Sequence, residues 1–210
     1  MVAAEWKARS RGPEYEATRR RLIDAAEQIV RAEGAAALRL DSVGDSVGLH
    51  RSSVYRYFDS KEALLTAVVV QATMQVGREV VTALGASARP ERFLVDGLAM
   101  AMARIATDPV HRSLMAPSTS EAMTRLGARA LNEGVRPLIE PMFRAASEQG
   151  LLRADVTPDD ALRWLLVVAT GLFRAPDVVP EIDELTRLLE LLLVPALLDM
   201  ARVQPRIGPT

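Results

Sequence analysis

Within Gly48–Leu65, GLHRSSVYRYFDSKEALL, hydrogen-bonding groups crowd together: His50, Arg51, Ser52, Ser53, Tyr55, Arg56, Tyr57 and Lys61. Aromatic residues make up only 4 % of the chain, so Tyr55, Tyr57 and Phe58 form a local concentration. Guanidinium, ammonium and hydroxyl groups share one chemistry: they donate to phosphate oxygens and to base edges. Covalent catalysis calls for other groups. The chain has two histidines, no cysteine, no glycine-rich phosphate loop after a strand and no His/carboxylate pair at metal-ligand spacing. The expectation is a protein that is not an enzyme, with no cofactor and no metal.

These groups need elements to hold them. Apolar residues recur at three and four positions almost throughout, with Ala and Leu dominant and no sustained alternation, which predicts an all-α chain of about nine helices. A first helix is expected from about Thr18 to Glu33, with Leu22, Ala25, Ala26, Ile29 and Val30 on its apolar stripe and Gly34 as its stop. A short helix covers about Leu40 to Val47, and a third about His50 to Phe58. Between them Gly48 supplies the positive φ that a turn between two steeply crossed helices requires. Leu49, Val54 and Phe58 face inward, which leaves the polar groups outward or at the flank. Ser60 caps the next helix through the amides of Glu62 or Ala63, and that helix runs to about Leu84.

The run TRRRLIDAAEQIVRAEG…LDSVGDSVGLHRSSVYRYFDSKEALL, from about Thr18 to Leu65, resembles the N-terminal DNA-binding domain of the TetR (tetracycline-repressor) family. Gly48, Leu49, Ser53, Val54, Tyr55, Tyr57, Phe58, Ser60, Lys61, Glu62 and Leu64 carry the resemblance at fixed spacing. It implies a helix-turn-helix whose third helix enters the major groove of a double-stranded DNA operator. By that resemblance Arg51 and Ser52 face base edges, and Arg56 reaches a base or a phosphate. Ser53, Tyr55 and Tyr57 bond phosphates, Lys61 holds one at a helix start, and Phe58 is core. The sequence departs from the pattern at His50, where a capping serine is usual, and at Arg39, near a usual Thr or Ser cap. Both are additional donors that could touch the DNA backbone. Gly44 and Ser46 stand where alanines are typical and should weaken the second helix slightly. Arg9 and Arg11 on the N-terminal arm are candidates for a minor groove, against the plainer reading of a disordered tail.

Downstream of Arg89-Pro90 the texture changes. A helix from about Glu91 to Thr107 is apolar nearly all round, and Asp108-Pro109 stops it. A helical region from about Ser120 to Gln149 should break or kink at Pro137 and Pro141. Thr157, Pro158 and Asp159-Asp160 mark another helix start. The last helix begins near Pro180 and kinks or ends at Pro195. The resemblance implies that residues 66–205 sense an effector and form a homodimer, after an arm at 1–17 and a DNA-binding domain at 18–65, with a tail at 206–210. Leu165, Val168, Leu172, Leu185, Leu188, Leu189 and Leu192 lie on two unusually apolar helices that would form the dimer interface. Pocket candidates for a small, mainly apolar effector are Phe93, Met100, Met115, Met123, Met142, Phe143 and Trp164, with Asp96, Arg104 and His111 as polar groups.

The bulk numbers fit these expectations. The chain has 210 residues and a formal net charge of −1. Residues 1–61 hold 11 Lys/Arg against 9 Asp/Glu, and the remainder 15 against 18, so the front is mildly basic and the back acidic. No apolar run reaches the ~18 residues of a membrane helix, and the N-terminus lacks a signal-peptide core. A cytoplasmic protein with no membrane partner is expected. The combined reading is a homodimeric repressor released from a palindromic operator by an effector. An effector-independent regulator or an activator of the same fold remains open. A helical small-molecule carrier or scaffold is the alternative of another class, and it leaves the Gly48–Leu65 cluster unused.

Overall fold

The computed structural model describes residues 12–85, 89–115, 121–175 and 181–203, with side chains left undescribed between 114 and 131. Among the described residues the fold is all-α. Helix α1, Pro13–Glu33, starts five residues before the expected Thr18. Pro13 occupies its first turn, where a missing N–H costs nothing, and Glu14 and Glu16 favour the positive end of the helix dipole. Residues 13–17, read as the end of an arm, belong to this helix. Leu22, Ile23, Ala26 and Val30 form the buried stripe, and the Gly34 amide closes the helix on the Val30 carbonyl. A 3₁₀ turn at Ala35–Ala37 leads into α2, Leu40–Ser46, and α3, Arg51–Val54.

Helix α4, Lys61–Leu84, is 24 residues long, or about 36 Å at 1.5 Å per residue. Ser60 caps it by accepting from the Ala63 amide at 3.1 Å. It packs on α1 and extends along α7, so the front of the molecule and the larger bundle share one rod. Helix α5 comprises Pro90–Arg92, a π-helical turn Phe93–Gly97 and Leu98–Thr107. Then follow α6, Pro109–Met115, and α7, Glu121–Glu148. Pro137 and Pro141 both lie inside α7, which continues through them, so of the break or kink expected there no break occurs.

Helix α8, Pro158–Arg174, opens with a complete capping box between Thr157 and Asp160. Helix α9 comprises Ile182–Leu188, a π-helical turn Leu189–Leu193 and Val194–Leu197. The wide turn directly precedes Pro195, whose ring would clash with a regular helix before it. A single antiparallel bridge, Leu152 to Leu198, pins the end of α9 to the α7–α8 connection. Met200–Val203 forms α10, the last helix among the described residues. One continuous apolar cluster runs from Leu22 on α1 to Val203 on α10.

Candidate nucleic-acid interface

The turn between α2 and α3 is a Schellman motif. The Leu49 amide donates to the Gly44 carbonyl at 2.8 Å and the Gly48 amide to Asp45 at 3.1 Å. Gly48 has φ +74°, as its place in the sequence demanded. Gly44 has a different reason. A Cβ there would sit 2.7 Å from the Leu49 carbonyl oxygen and 2.9 Å from Val54 Cγ2. The glycine lets α2 and α3 cross closely; the slight loss of helix propensity is secondary.

His50 is the N-cap of α3. Its Nδ1 accepts from the Ser52 amide at 3.4 Å, a long bond, and lies 2.9 Å from Ser52 Oγ. Imidazole thus takes the capping place that the family pattern gives to serine. Arg39 is the N-cap of α2 by backbone geometry alone, with no side-chain bond. The α-helical part of α3 is only four residues long; it tightens through Tyr57 N–H to the Val54 carbonyl at 2.9 Å, shorter than the expected His50–Phe58. Val54 and Phe58 are buried.

Arg39, His50, Arg51, Ser52, Tyr55 and Arg56 are exposed, while Ser53, Tyr57 and Lys61 are half-buried. Several already hold partners. Arg51 pairs with Asp41 on α2 at 2.9 Å and donates to the Tyr55 hydroxyl at 3.2 Å. These contacts raise its pKa, the Tyr55 hydrogen bond first. Arg56 donates to the Tyr57 hydroxyl at 3.1 Å. The Tyr57 ring stacks on Tyr15 of α1, centroids 4.7 Å apart. Lys61 Nζ donates to the Ala36 carbonyl at 3.0 Å, so it ties the α1–α2 connection to the start of α4. The sequence reading missed three supports: Asp41 for Arg51, Tyr15 for Tyr57, and Arg21, which donates to the Val47 carbonyl at 3.0 Å. None has a local signal, because each acts between elements. Arg9 and Arg11 lie outside the described residues.

A second feature lies in the larger bundle. Between α4, α5, α7 and α8 is a narrow, almost wholly apolar cavity of about 70 Å³, whose walls include Val76, Phe93, Leu98, Met102, Leu138 and Leu165. Of the ten pocket candidates read from the sequence, only Phe93 is among these lining residues. Phe143 is buried core, and Met100 and Met142 pack half-buried against the core. Trp164 is 48 % exposed, because it faces away from the bundle. Asp96 is paired with Arg92 at 2.6 Å, and exposed Arg104 lies 3.9 Å from Glu79. His111 is buried behind the wall, bonded to Thr73 and Asp108. Met115 and Met123 lie outside the residues whose side chains are described.

The apolar helices α8 and α9 divide the expected interface residues between core and surface. Leu165, Leu185 and Leu189 are buried within the chain's own core, and Val168, Leu172 and Leu188 are half-buried. Only Leu192, at 67 % exposure, stands clear among the expected interface residues. The open apolar surface is instead Trp164, Val167, Ile182, Leu191 and Leu192. Among the described residues no cluster of His, Asp and Glu could hold a metal ion, and no helix is long and apolar enough to cross a membrane.

Comparison with known proteins agrees with this geometry. The family model of bacterial regulatory proteins of the tetR family matches residues 22–68, which cover the buried half of α1, both short helices and the start of α4. An uncharacterized HTH-type transcriptional regulator of Mycobacterium tuberculosis is 34 % identical over 96 residues, 45 % of this chain and 46 % of that protein. The match thus spans about half the length of that relative. Among solved structures, RolR without ligand superposes with a TM-score of 0.64 at 16 % identity, over 87 % of this chain and 92 % of that one. The transcriptional repressor QsdR of R. erythropolis superposes with a TM-score of 0.62 at 21 % identity, over 85 % and 95 %. At such identities the superpositions speak for the fold alone. Residues 22–68 thus match the tetR family of bacterial regulatory proteins, and the chain as a whole shares the fold of these structures.

Proposed function

We propose that this protein is a DNA-binding repressor that acts as a homodimer on a roughly palindromic operator and leaves it when a small, mainly apolar molecule enters the bundle. The observation that carries the DNA reading is the exposed group on α3. Arg51, Ser52, Tyr55 and Arg56 stand out from α3 and the turn that follows it, held at the crossing by Gly44 and Gly48. Arg51 and Ser52 at the start of α3 read base edges, and Tyr55, Tyr57, Ser53 and Lys61 grip phosphates. His50 and Arg39 add contacts to the DNA backbone. Arg51 reaches DNA by exchanging Asp41 for a base, so the acidic residue orients it in the free protein.

The repressor sense is supported by the likeness to QsdR, a repressor of the same fold. The dimer reading rests on the exposed apolar residues of α8 and α9, a patch that a second copy would cover. Two reading helices in a dimer predict half-sites about one helical turn apart or somewhat more. The effector reading rests on the apolar cavity. Selection of bound sequences from random DNA tests the proposal. Recovery of a two-fold symmetric site, with one position relaxed in Arg51→Ala, is expected; each good bidentate base contact is worth about 1–3 kcal/mol of discrimination. Failure to enrich any sequence contradicts it.

A further inference from the structure

Of Arg39, Arg51, Arg56 and Lys61, Arg51 alone is paired with a carboxylate among the described residues. Its Nη1 donates to Asp41 Oδ2 at 2.9 Å and its Nη2 to the Tyr55 hydroxyl at 3.2 Å. The guanidinium carbon lies 5.7 Å from the centre of the Tyr55 ring. Both members of the ion pair are open to solvent, at 59 % for the Arg51 side chain and 51 % for Asp41. Helix α2 carries one other acidic side chain, Asp45, one turn further along. Asp45 is exposed, and its carboxylate holds no cation among the described residues.

A guanidinium closed on a carboxylate is a poor phosphate grip. The closed pair carries no net charge, so it releases no counterion from DNA and adds nothing to the salt dependence of binding. To grip a phosphate, Arg51 must leave Asp41. The bare carboxylate then faces a polyanion with one charge per ~1.7 Å of helix axis. Guanine offers something different. Its O6 and N7 together accept two N–H bonds from one guanidinium, and the base edge has no net charge to repel Asp41. An exposed ion pair is weak in water. Its opening still weighs on every binding mode that uses phosphates alone, and a guanine contact offsets it.

We propose that Asp41 is a specificity-determining residue: it withholds Arg51 from the phosphates of unrelated DNA and yields it to a guanine of the operator. This rests on the reading of α3 as the DNA-binding element. Asp41 acts through Arg51 and is therefore a positioning residue. The discrimination comes from a penalty on the wrong sequences, beside the bond made to the right one. Tyr55 carries no charge at neutral pH, so its hydrogen bond steadies the guanidinium without neutralising it.

The test measures binding of the full-length protein across a range of salt to two duplexes of equal length. One is the sequence that the unmodified protein enriches from random DNA, and the other is a shuffled version of it. Asp41→Asn should bind the shuffled duplex more tightly, with a slope of log affinity against log salt steeper by about 0.9 for each Arg51 set free. The ratio of specific to shuffled affinity should fall about three- to fivefold per reading helix, the worth of an exposed ion pair. Adding Arg51→Ala to Asp41→Asn should abolish the extra slope, and Asp41→Glu should keep the ratio of the unmodified protein. Asp45→Asn removes the same charge from the same helix without touching Arg51, so it should raise both affinities alike. Where Asp41→Asn does not fold by circular dichroism, Asp41→Ser takes its place. An unchanged ratio in the Asp41 variant, an equal fall in Asp45→Asn, or an extra slope that survives Arg51→Ala overturns the role of Asp41 and leaves DNA binding by α3 standing. Failure of the unmodified protein to enrich any sequence overturns both.

Discussion

Asp108 joins three elements through one carboxylate. It accepts from Arg31 of α1 and from the ring and amide of His111 on α6, and it sits where α5 ends. Its pKa is lower folded than unfolded, so it adds stability above its unfolded value near 4 and loses it as pH falls toward the folded value. The expected outcome is a stability that declines below about pH 4, measured by urea unfolding across acid pH, with part of that decline missing in Asp108→Asn. At neutral pH the same variant should cost about 1–3 kcal/mol, because an amide has one acceptor oxygen and cannot accept from both Arg31 and buried His111. Gly44 makes a second prediction. Gly44→Ala drives a methyl group into the Leu49 carbonyl and Val54, which should destabilise by about 1–3 kcal/mol despite alanine's better helix propensity. Sequence alone pointed the other way at this position. The close approach belongs to the crossing of two helices, and no local pattern reports it.

At the scale of elements, the termini were the most legible part of the fold. Gly34, Gly48, Ser60 and Thr157 do what their residue types and neighbours predict. Ser60→Ala should cost about 1 kcal/mol in thermal unfolding through the lost Ala63 bond. The misread positions are prolines. Gly12-Pro13 looked like the end of an arm, but proline is equally at home in a first helical turn. Pro137 and Pro141 are accommodated within α7. Of the polar group around α3, the outward residues were legible because Val54 and Phe58 define the inward side by spacing. Their supports, Tyr15 and Asp41, were not, since each comes from another helix.

At the scale of the molecule, α8 and α9 are apolar on more than one face, so composition could not say which leucines point inward. The structure buries Leu165, Leu185 and Leu189 and leaves Trp164, Val167, Leu191 and Leu192 open. For the same reason a Met- and aromatic-rich list gave one cavity residue, Phe93, while the aliphatic walls and Thr73 went unnoticed. If the open face is the dimer interface, Val167→Asp with Leu192→Asp should sediment as a monomer at micromolar concentration with its helical circular dichroism intact. Operator affinity should then drop steeply, because each copy offers a single reading helix.

DNA binding through α3 and the start of α4 is the central claim, and its salt dependence is the most direct measurement. Equilibrium binding of the unmodified protein and of Tyr55→Ala/Lys61→Ala to specific and random duplexes should be followed from low to physiological salt. The variant should bind every sequence more weakly, with a slope of log affinity against log salt that is shallower by about 1 for each lost lysine–phosphate contact. Affinity and slope unchanged in a variant that remains folded would contradict it.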